Sequence, residues 1–288
     1  MIIKEYSKLS AQVIEEILKL ESACKKQDKL TSNIFLDNSL NFNPNINSTF
    51  LLYEDTILIS VLTMFVPTQN EAEISGFTLF KYRRMGFFKK LFKAACSELT
   101  KYGVHEVLFV CEKQSVQGRA VIKKLEGDYD FTEYSLKYNR AIVSNSDHEL
   151  SRIKLHKPNI QEVEILVTLM QQIFNDSYKD AKCMVKNAFE SKFRDQYLAV
   201  LDEEFIGVCG VSFESDGAYI FGFGIEPKYQ GKGFGKDMLK LVLDDLIKKN
   251  VDVIMIDVNS TNERAYNLYK KYGFTVQTAI EYYRKEIK

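Results

Sequence analysis

The chain has 288 residues, of which 45% are hydrophobic and 27% are charged, so it is long and apolar enough to fill the cores of two domains. Its 39 basic and 39 acidic residues balance, which argues against nucleic acid or an anionic membrane as a partner. No apolar run approaches the roughly 18 residues of a membrane helix, and the first ten residues lack a signal-peptide layout. A cytoplasmic protein is therefore expected.

The predicted elements occur twice in the same order. Each series starts with a short strand and one or more helices, followed by a hairpin with an acidic turn, a further strand, a glycine-containing segment and a long helix. Each series then closes with an apolar strand, a shorter helix and a final strand pair. This order predicts mixed α/β domains with helices on both faces of each sheet.

The two series also share residues. An offset of 147 residues places KYRRMGFFKK (81–90) on KYQGKGFGKD (228–237), with five identities. We therefore predict two copies of one domain, 1–145 and 150–288, joined by the polar stretch 144–151. The five cysteines and three histidines show no metal-ligand spacing, so reduced, mostly buried thiols and no metal site are expected.

Three glycines alternate in the second copy, at Gly231, Gly233 and Gly235. They precede a predicted helix with one apolar face, formed by Leu239, Val242, Leu243 and Leu246. A helix N-terminus presents free N–H groups and the positive end of the dipole, and glycine lets a phosphate approach the backbone. Because Lys236 stands where the Walker loop and the dinucleotide fingerprint each need another residue, neither motif fits. A glycine-rich turn without a ligand remains the alternative.

Two sequence motifs together favour a ligand-binding loop over a glycine-rich turn without a ligand. The first is Q-x-x-G-x-G (Gln230, Gly233 and Gly235), which follows a strand that ends at Ile225 and Pro227. The second is N-x-x-A-x-x-L-Y-x-x-x-G-F over 262–274. Both resemble, in this order, the signatures of the GNAT acetyltransferases. The resemblance covers residues 152–288 well and the first copy weakly.

The resemblance implies two tandem acyl-CoA N-acyltransferase domains that use acetyl-CoA as co-substrate and acetylate an amine acceptor directly. The loop amides would hold the diphosphate, Lys232 and Lys236 would add charge, and the end of the fourth strand would pair with the pantetheine arm. A backbone N–H there would polarise the thioester carbonyl. The implied cofactor-binding residues are Phe223, Ile225, Gln230, Gly231, Lys232, Gly233, Phe234, Gly235, Lys236 and Asn262.

Tyr269 matches the family tyrosine that faces the leaving sulfur, so it is the predicted general acid. A phenol with a pKa near 10 gives up its proton reluctantly to a thiolate near 8.5, but it can donate a hydrogen bond. A tyrosine packed in the core is the alternative. No base is assigned: Tyr219 stands where some relatives have a glutamate, and Glu214 and Asp216 are expected at the surface of a hairpin. Asn262, or a box of Ser260 and Glu263, is expected to cap the helix.

The first copy departs from both motifs. It has Arg83, Arg84 and Phe88 where the second has Gln230, Gly231 and Gly235, and the offset puts Ser115 and Ile122 in place of Asn262 and Tyr269. We predict a degenerate N-terminal copy that supports the structure or shapes the acceptor site. Binding of CoA by Arg83 and Arg84 is a lesser alternative.

Two other functions stay open for the chain as a whole. One is a non-catalytic acyl-CoA-binding module, and the other is transfer of a different acyl group, or transfer to a thiol or hydroxyl. The acceptor is a small molecule or peptide that the sequence does not identify, and both a monomer and a homodimer are compatible with the sequence.

Overall fold

The computed structural model describes residues 1–38, 41–142, 151–214 and 217–287. Within these ranges the chain forms twelve strands and seven α-helices, which divide into two units. Unit 1 contains Met1–Glu133 and Thr278–Lys288, and unit 2 contains Tyr134–Gln277. The predicted linker 144–151 lies almost wholly outside the described residues, so the predicted ranges 1–145 and 150–288 stay a prediction.

Unit 1 is a mixed sheet with helices on both faces. Alternate residues of one strand face opposite sides: Phe50 and Leu52 pack with helix α2, whereas Leu51 and Tyr53 pack with helix α1. The strand order is β1-β2-β3-β4-β5-β12, in which only β4 and β5 pair in parallel. Its elements are β1 (Ile2–Tyr6), α1 (Ala11–Asp28), β2 (Thr49–Glu54), β3 (Ile57–Phe65), β4 (Glu71–Thr78), α2 (Phe87–Lys101), β5 (Glu106–Glu112), α3 (Val116–Lys124), the first half of β6 (Asp128–Tyr138) and most of β12 (Phe274–Glu286).

Unit 2 repeats this architecture. Its strand order is β6-β11-β10-β9-β8-β7, with β10 and β11 parallel. Helices α6 and α7 cover one face, and α4 and α5 cover the other. The predicted mixed α/β class is therefore confirmed. The further elements are β7 (Lys154–His156), α4 (Val163–Phe174), α5 (Tyr178–Glu190), β8 (Arg194–Leu201), β9 (Glu204–Glu214), β10 (Gly217–Ile225), α6 (Phe234–Lys248), β11 (Ile254–Asn259) and α7 (Glu263–Lys271).

Local sequence signals explain several boundaries. The two hairpins turn at acidic residues with left-handed backbone, Asp55 (φ 53°) in unit 1 and Asp202 (φ 45°) in unit 2, as the acidic turns predicted. The predicted apolar face of α6 is buried throughout. Cys24, Cys111 and Cys209 are buried, Cys183 is exposed, and all five cysteines are free thiols.

The predicted final strand pair of each copy is wrong, because each last helix is followed by one long strand. The β12 sequence FTVQTAIEYYRKE contains no Gly, Pro, Asn or Asp that would form a turn. Its Ile280–Glu286 portion pairs antiparallel with Glu106–Glu112 inside unit 1. Conversely, Leu136 of β6 is fully buried in the core of unit 2. Each unit is thus completed by the last strand of the other half of the sequence.

Two negative findings concern the described ranges. No helix there combines the length and the apolar character that a bilayer crossing needs. Nor do His, Cys, Asp or Glu side chains within those ranges gather in threes or more as metal ligands.

Candidate active site

The glycine segment of unit 2 forms a tight loop that opens helix α6. Gln230 anchors it, since its Nε2 donates to the carbonyl oxygen of Ile225 at 2.9 Å. Gly231 and Gly233 adopt left-handed φ values of 76° and 88°, which side chains disfavour. Gly233 is the N-cap, and the Asp237 N–H is bonded to the Gly233 carbonyl. The backbone N–H groups just before Asp237 have no acceptor within the helix and point out of its end.

The side chains of this loop divide into two groups. Phe234 is buried and packs against Tyr229 at 6.2 Å between ring centroids, so its predicted contribution to binding is limited to its backbone. The exposed Lys232 ammonium lies 5.4 Å from the centre of the Tyr229 ring. A methyl group added at Gly235 would be only in ordinary contact with Leu268 and Ile225, at 3.7 and 3.8 Å. The open face of the loop is therefore lined by backbone and a cation.

Strand β10 separates from its parallel neighbour next to this loop. The β10 and β11 strands pair only over Ala218–Ile220, although β10 continues to Ile225. On its other side, the register with β9 shifts between Phe221 and Gly224, which marks a β-bulge. Gly222 has a φ of 52° there. The bulged backbone and the separated strand edge leave main-chain groups of β10 facing a cleft, as the resemblance implied for Phe223 and Ile225.

Helix α7 presents Tyr269 to the same cleft. The helix is capped by Asn262, whose side-chain oxygen accepts from the Ala265 N–H at 3.1 Å, so of the two expected caps Asn262 is the one observed. Gly273 ends the helix region with a φ of 88°. Tyr269 is 4% exposed, and its ring lies 6.1 Å from that of Phe223. Burial, with a smaller contribution from Cys209, raises the pKa of the phenol well above its usual value, so Tyr269 stays protonated.

A cavity of about 190 Å³ lies between the open edge of β10, the end of β11 and helix α7. Its lining combines apolar and aromatic side chains with the polar side chains of Asn259, Asn262 and Asp257, of which Asp257 on β11 supplies a carboxylate. The Asp257 Oδ1 atom is buried and has no hydrogen-bond partner among the described residues. The lining residues are Phe174, Ile220, Phe221, Gly222, Phe223, Ile256, Asp257, Val258, Asn259, Asn262, Ala265 and Tyr269.

Asp257 was missed by the sequence reasoning, although a signal was present. In IMIDVN the residues Ile254, Ile256 and Val258 are buried, so strand alternation turns Asp257 to the other side. A carboxylate at the carboxyl end of a strand beside the glycine loop is a typical position for a functional group. Of the other positions considered for a base, Asp216 lies outside the described residues, as does the side chain of Glu214. Tyr219 is half-buried on β10 and is not among the cavity-lining residues.

The comparisons with known proteins agree with this geometry. The model of the acetyltransferase (GNAT) family matches residues 163–274. The matched residues lie within unit 2 and include both the glycine loop and helix α7. In Escherichia coli (strain K12), the [ribosomal protein bS18]-alanine N-acetyltransferase is 33% identical over 63 residues, or 22% of this chain and 43% of that protein. The chain thus spans less than half the length of this curated relative.

Solved structures extend the similarity of fold to the whole chain. A GCN5-related N-acetyltransferase from Sphaerobacter thermophilus has a TM-score of 0.82 at 13% identity, covering 100% of this chain and 96% of its own. A tandem GNAT protein from the clavulanic acid biosynthesis pathway has a TM-score of 0.73 at 13% identity, covering 99% and 98%. Both units therefore have the GNAT fold.

The segment of unit 1 that corresponds to the glycine loop has a similar backbone conformation but different side chains. Gly86, at the N-cap of α2, has a φ of 79°, and Arg84 takes the left-handed φ of 64°. Arg83 donates through Nε to the Thr78 carbonyl at 2.9 Å and forms a bidentate pair with Asp28 at 2.8 and 2.6 Å. The Phe88 ring lies against β4, 3.0 Å from where a methyl group on Gly76 would be. Within unit 1, β3 and β4 pair without a register shift, so no bulge matches that of β10.

Proposed function

We propose that unit 2 transfers an acetyl group from acetyl-CoA directly to a primary amine. The observation that carries this proposal is the cavity lined by the protonated Tyr269 and by Asp257, whose Oδ1 atom is buried and unbonded, at the open edge of β10, the strand that leads into the glycine loop. This combination supplies a place for an anion, a hydrogen-bond donor and a proton acceptor. We further propose that the N-terminal copy is degenerate and that the protein acts in the cytoplasm, as a monomer or homodimer.

The donor site follows from main-chain groups. The N–H groups at the start of α6 suit a diphosphate, since the glycines at 231 and 235 leave the backbone there approachable. The β10 edge from Phe221 to Ile225 suits the amides of a pantetheine arm by strand addition. The bulged backbone at Gly222 and Phe223 lines the cavity, where an N–H would stabilise the oxyanion of the addition step. Lys232 and Lys236 contribute positive charge near the diphosphate.

Two side chains carry the protons. Asp257 accepts the proton that the amine nitrogen loses as it bonds to the acetyl carbon. Tyr269 donates a hydrogen bond to the sulfur as the carbon–sulfur bond breaks, and the raised pKa of its phenol keeps that proton in place at neutral pH. The base that the sequence reasoning left unassigned is thus proposed to be Asp257.

The acceptor class follows from acid strength. An alkyl amine with a pKa near 10.4 is almost wholly protonated at neutral pH, whereas an α-amino group near 7.7–8.0 is partly neutral. An amine that is already neutral needs no deprotonation before it attacks, so a partly neutral α-amine is the more accessible nucleophile. The Escherichia coli relative is named for acetylation of an alanine of a ribosomal protein. We propose the α-amino group of a polypeptide as the acceptor.

Replacing the two side chains tests the mechanism. Tyr269→Phe and Asp257→Asn are each expected to lower kcat by about 100-fold or more, with CoA affinity nearly unchanged, because each removes one proton-handling group. Steady-state kinetics with acetyl-CoA and peptide amines, and calorimetry with CoA, measure the two effects. Tyr266→Phe is the matched control, since Tyr266 lies on the same helix and packs against Tyr134 at 5.1 Å, away from the cavity lining.

The same assays separate the alternatives. Binding of CoA without turnover of any amine would favour the non-catalytic binding module. Turnover of a longer acyl-CoA in preference to acetyl-CoA, or of thiol or hydroxyl acceptors, would favour the other transferase. Equal losses of kcat and CoA affinity in Tyr269→Phe would assign Tyr269 a packing role.

A further inference from the structure

Arg152, which precedes β7, reaches across to the glycine loop inside unit 2. Its Nη2 donates to the Lys232 carbonyl oxygen at 2.8 Å, and its Nε donates to Asp237 Oδ2 at 3.1 Å. Its guanidinium carbon lies 4.7 Å from the centre of the Phe234 ring. One side chain thus contacts the loop and two residues in the first turn of α6.

The Arg152 guanidinium also lies close to the backbone of Gly233, where the left-handed φ of 88° already disfavours a side chain. A methyl group on Gly233 would come within 2.7 Å of Arg152 Nη2. The Arg152 side chain is 53% exposed, and its contacts with the loop and Asp237 use Nε and Nη2. The Nη1 edge is therefore available to a phosphate oxygen at the mouth of the loop.

Asp237 requires a positive charge such as that of Arg152 if a diphosphate is to bind nearby. Its side chain is 10% exposed in the first turns of α6, at the end of the helix where the diphosphate is proposed to bind. A buried carboxylate at that end would repel a diphosphate, and Arg152 is bonded directly to it. The first copy lacks this arrangement: its counterpart of Asp237 is Lys90, whose ammonium lies 5.5 Å from the Phe87 ring.

We propose that Arg152 is a phosphate-binding residue of the donor site and that its pairing with Asp237 sets the affinity of that site for the diphosphate. The proposal rests on the proposed function. Arg152 compensates the Asp237 charge, holds the Lys232 carbonyl away from the open face of the loop, and offers its remaining donors to the ligand. Arg152 lies outside both GNAT signatures.

A double-mutant cycle with two ligands tests the proposal. In calorimetry, Arg152→Ala is expected to weaken binding of CoA on the order of 30-fold, because a charge-assisted contact is lost and Asp237 is left uncompensated. In the Asp237→Asn background the same change should cost only a few-fold, because the buried charge is gone. Pantetheine, which lacks the nucleotide and the diphosphate, should bind the wild-type protein and Arg152→Ala equally. Circular dichroism melts verify that each variant is folded.

The outcomes are distinct. If the wild-type protein binds CoA but Arg152→Ala binds it equally well, the inference fails and the proposed function stands. An equal loss in both Asp237 backgrounds, or an equal loss for pantetheine, would make Arg152 a general stabiliser of the loop and would also overturn the inference. If the wild-type protein binds no CoA, the proposed function and this inference fail together.

Discussion

The glycine loops of the two units have nearly the same backbone and different chemistry. The N-cap of the following helix is a glycine with a left-handed φ in both units, Gly86 and Gly233. Arg84 and Gly231 also share a left-handed φ. The side chain of Arg83 donates a hydrogen bond to a strand carbonyl, as that of Gln230 does. In unit 1 the Arg83 side chain also forms an ion pair with Asp28. A strand–turn–helix connection therefore preserves loop shape without preserving a binding site, so shape alone does not indicate a ligand.

The two units differ in the strand next to the loop and in the side chain at position 88 or 235. Unit 2 has a bulge in β10 and a small glycine at position 235, whereas unit 1 has a regular β4 and the Phe88 ring placed over Gly76. With the offset of 147 residues, Gly76 corresponds to Phe223, which lines the cavity of unit 2. The space proposed for the pantetheine arm in unit 2 is thus approached by an aromatic ring in unit 1.

The largest effect is expected when the second loop is made like the first. Gly235→Phe should weaken CoA binding on the order of 100-fold or more, because the ring would cover amides that otherwise bond to a charged diphosphate. Calorimetry with CoA measures the loss. Gly235→Ala is the matched control, since a methyl group there meets its neighbours at ordinary distances and should leave the fold unchanged. Unchanged affinity in Gly235→Phe would refute the assignment of the donor loop.

A smaller effect, on stability, is expected from the strand before each loop. In unit 1, Glu73 on β4 pairs with the parallel strand β5, and in unit 2 Tyr219 on β10 pairs with the parallel strand β11. Burial, together with Glu133 and Glu71, raises the pKa of Glu73 to about 7. Since an unfolded glutamate titrates near pH 4.3, the folded state binds this proton more tightly. Stability is therefore lost as the pH rises from about 4.3 to about 7, and the loss levels off above that.

Glu73→Gln should remove this dependence. Urea titrations should give a free energy of unfolding higher than that of the wild-type protein by about 2 kcal/mol near pH 8, and a much smaller difference near pH 4.5. A difference that is independent of pH would show that Glu73 ionises in the folded protein as it does in water.

The smallest effect compares the two left-handed positions directly. Gly231→Ala is expected to lower the free energy of unfolding by about 1 kcal/mol, because a side chain disfavours a positive φ. Arg84→Gly is expected to raise it by at most about 0.5 kcal/mol, since relief of the φ strain is offset by the entropy of glycine. Thermal melts of the two variants would contradict the shared loop geometry if both shifted in the same direction.

Local patterns predicted much of this molecule. The acidic hairpin turns and the apolar face of α6 each depend on residues within a short segment, and their structures agree with prediction. The β10 bulge and the partner of β12 depend on residues far away in the chain, so the sequence pattern did not reveal them. Asp257 was overlooked for a related reason, because its significance comes from Tyr269 across the cavity.

The late position of β12 in the chain has a consequence for biosynthesis. The edge of β5 in unit 1 receives its partner strand, Ile280–Glu286, only after all the strands of unit 2 have been synthesised. Until then the nascent first half carries an exposed sheet edge and an incomplete core that lacks Ile287. All strands of unit 2, β6 to β11, precede the portion of β12 that joins unit 1, so the growing chain contains the full set of strands of unit 2 before that of unit 1.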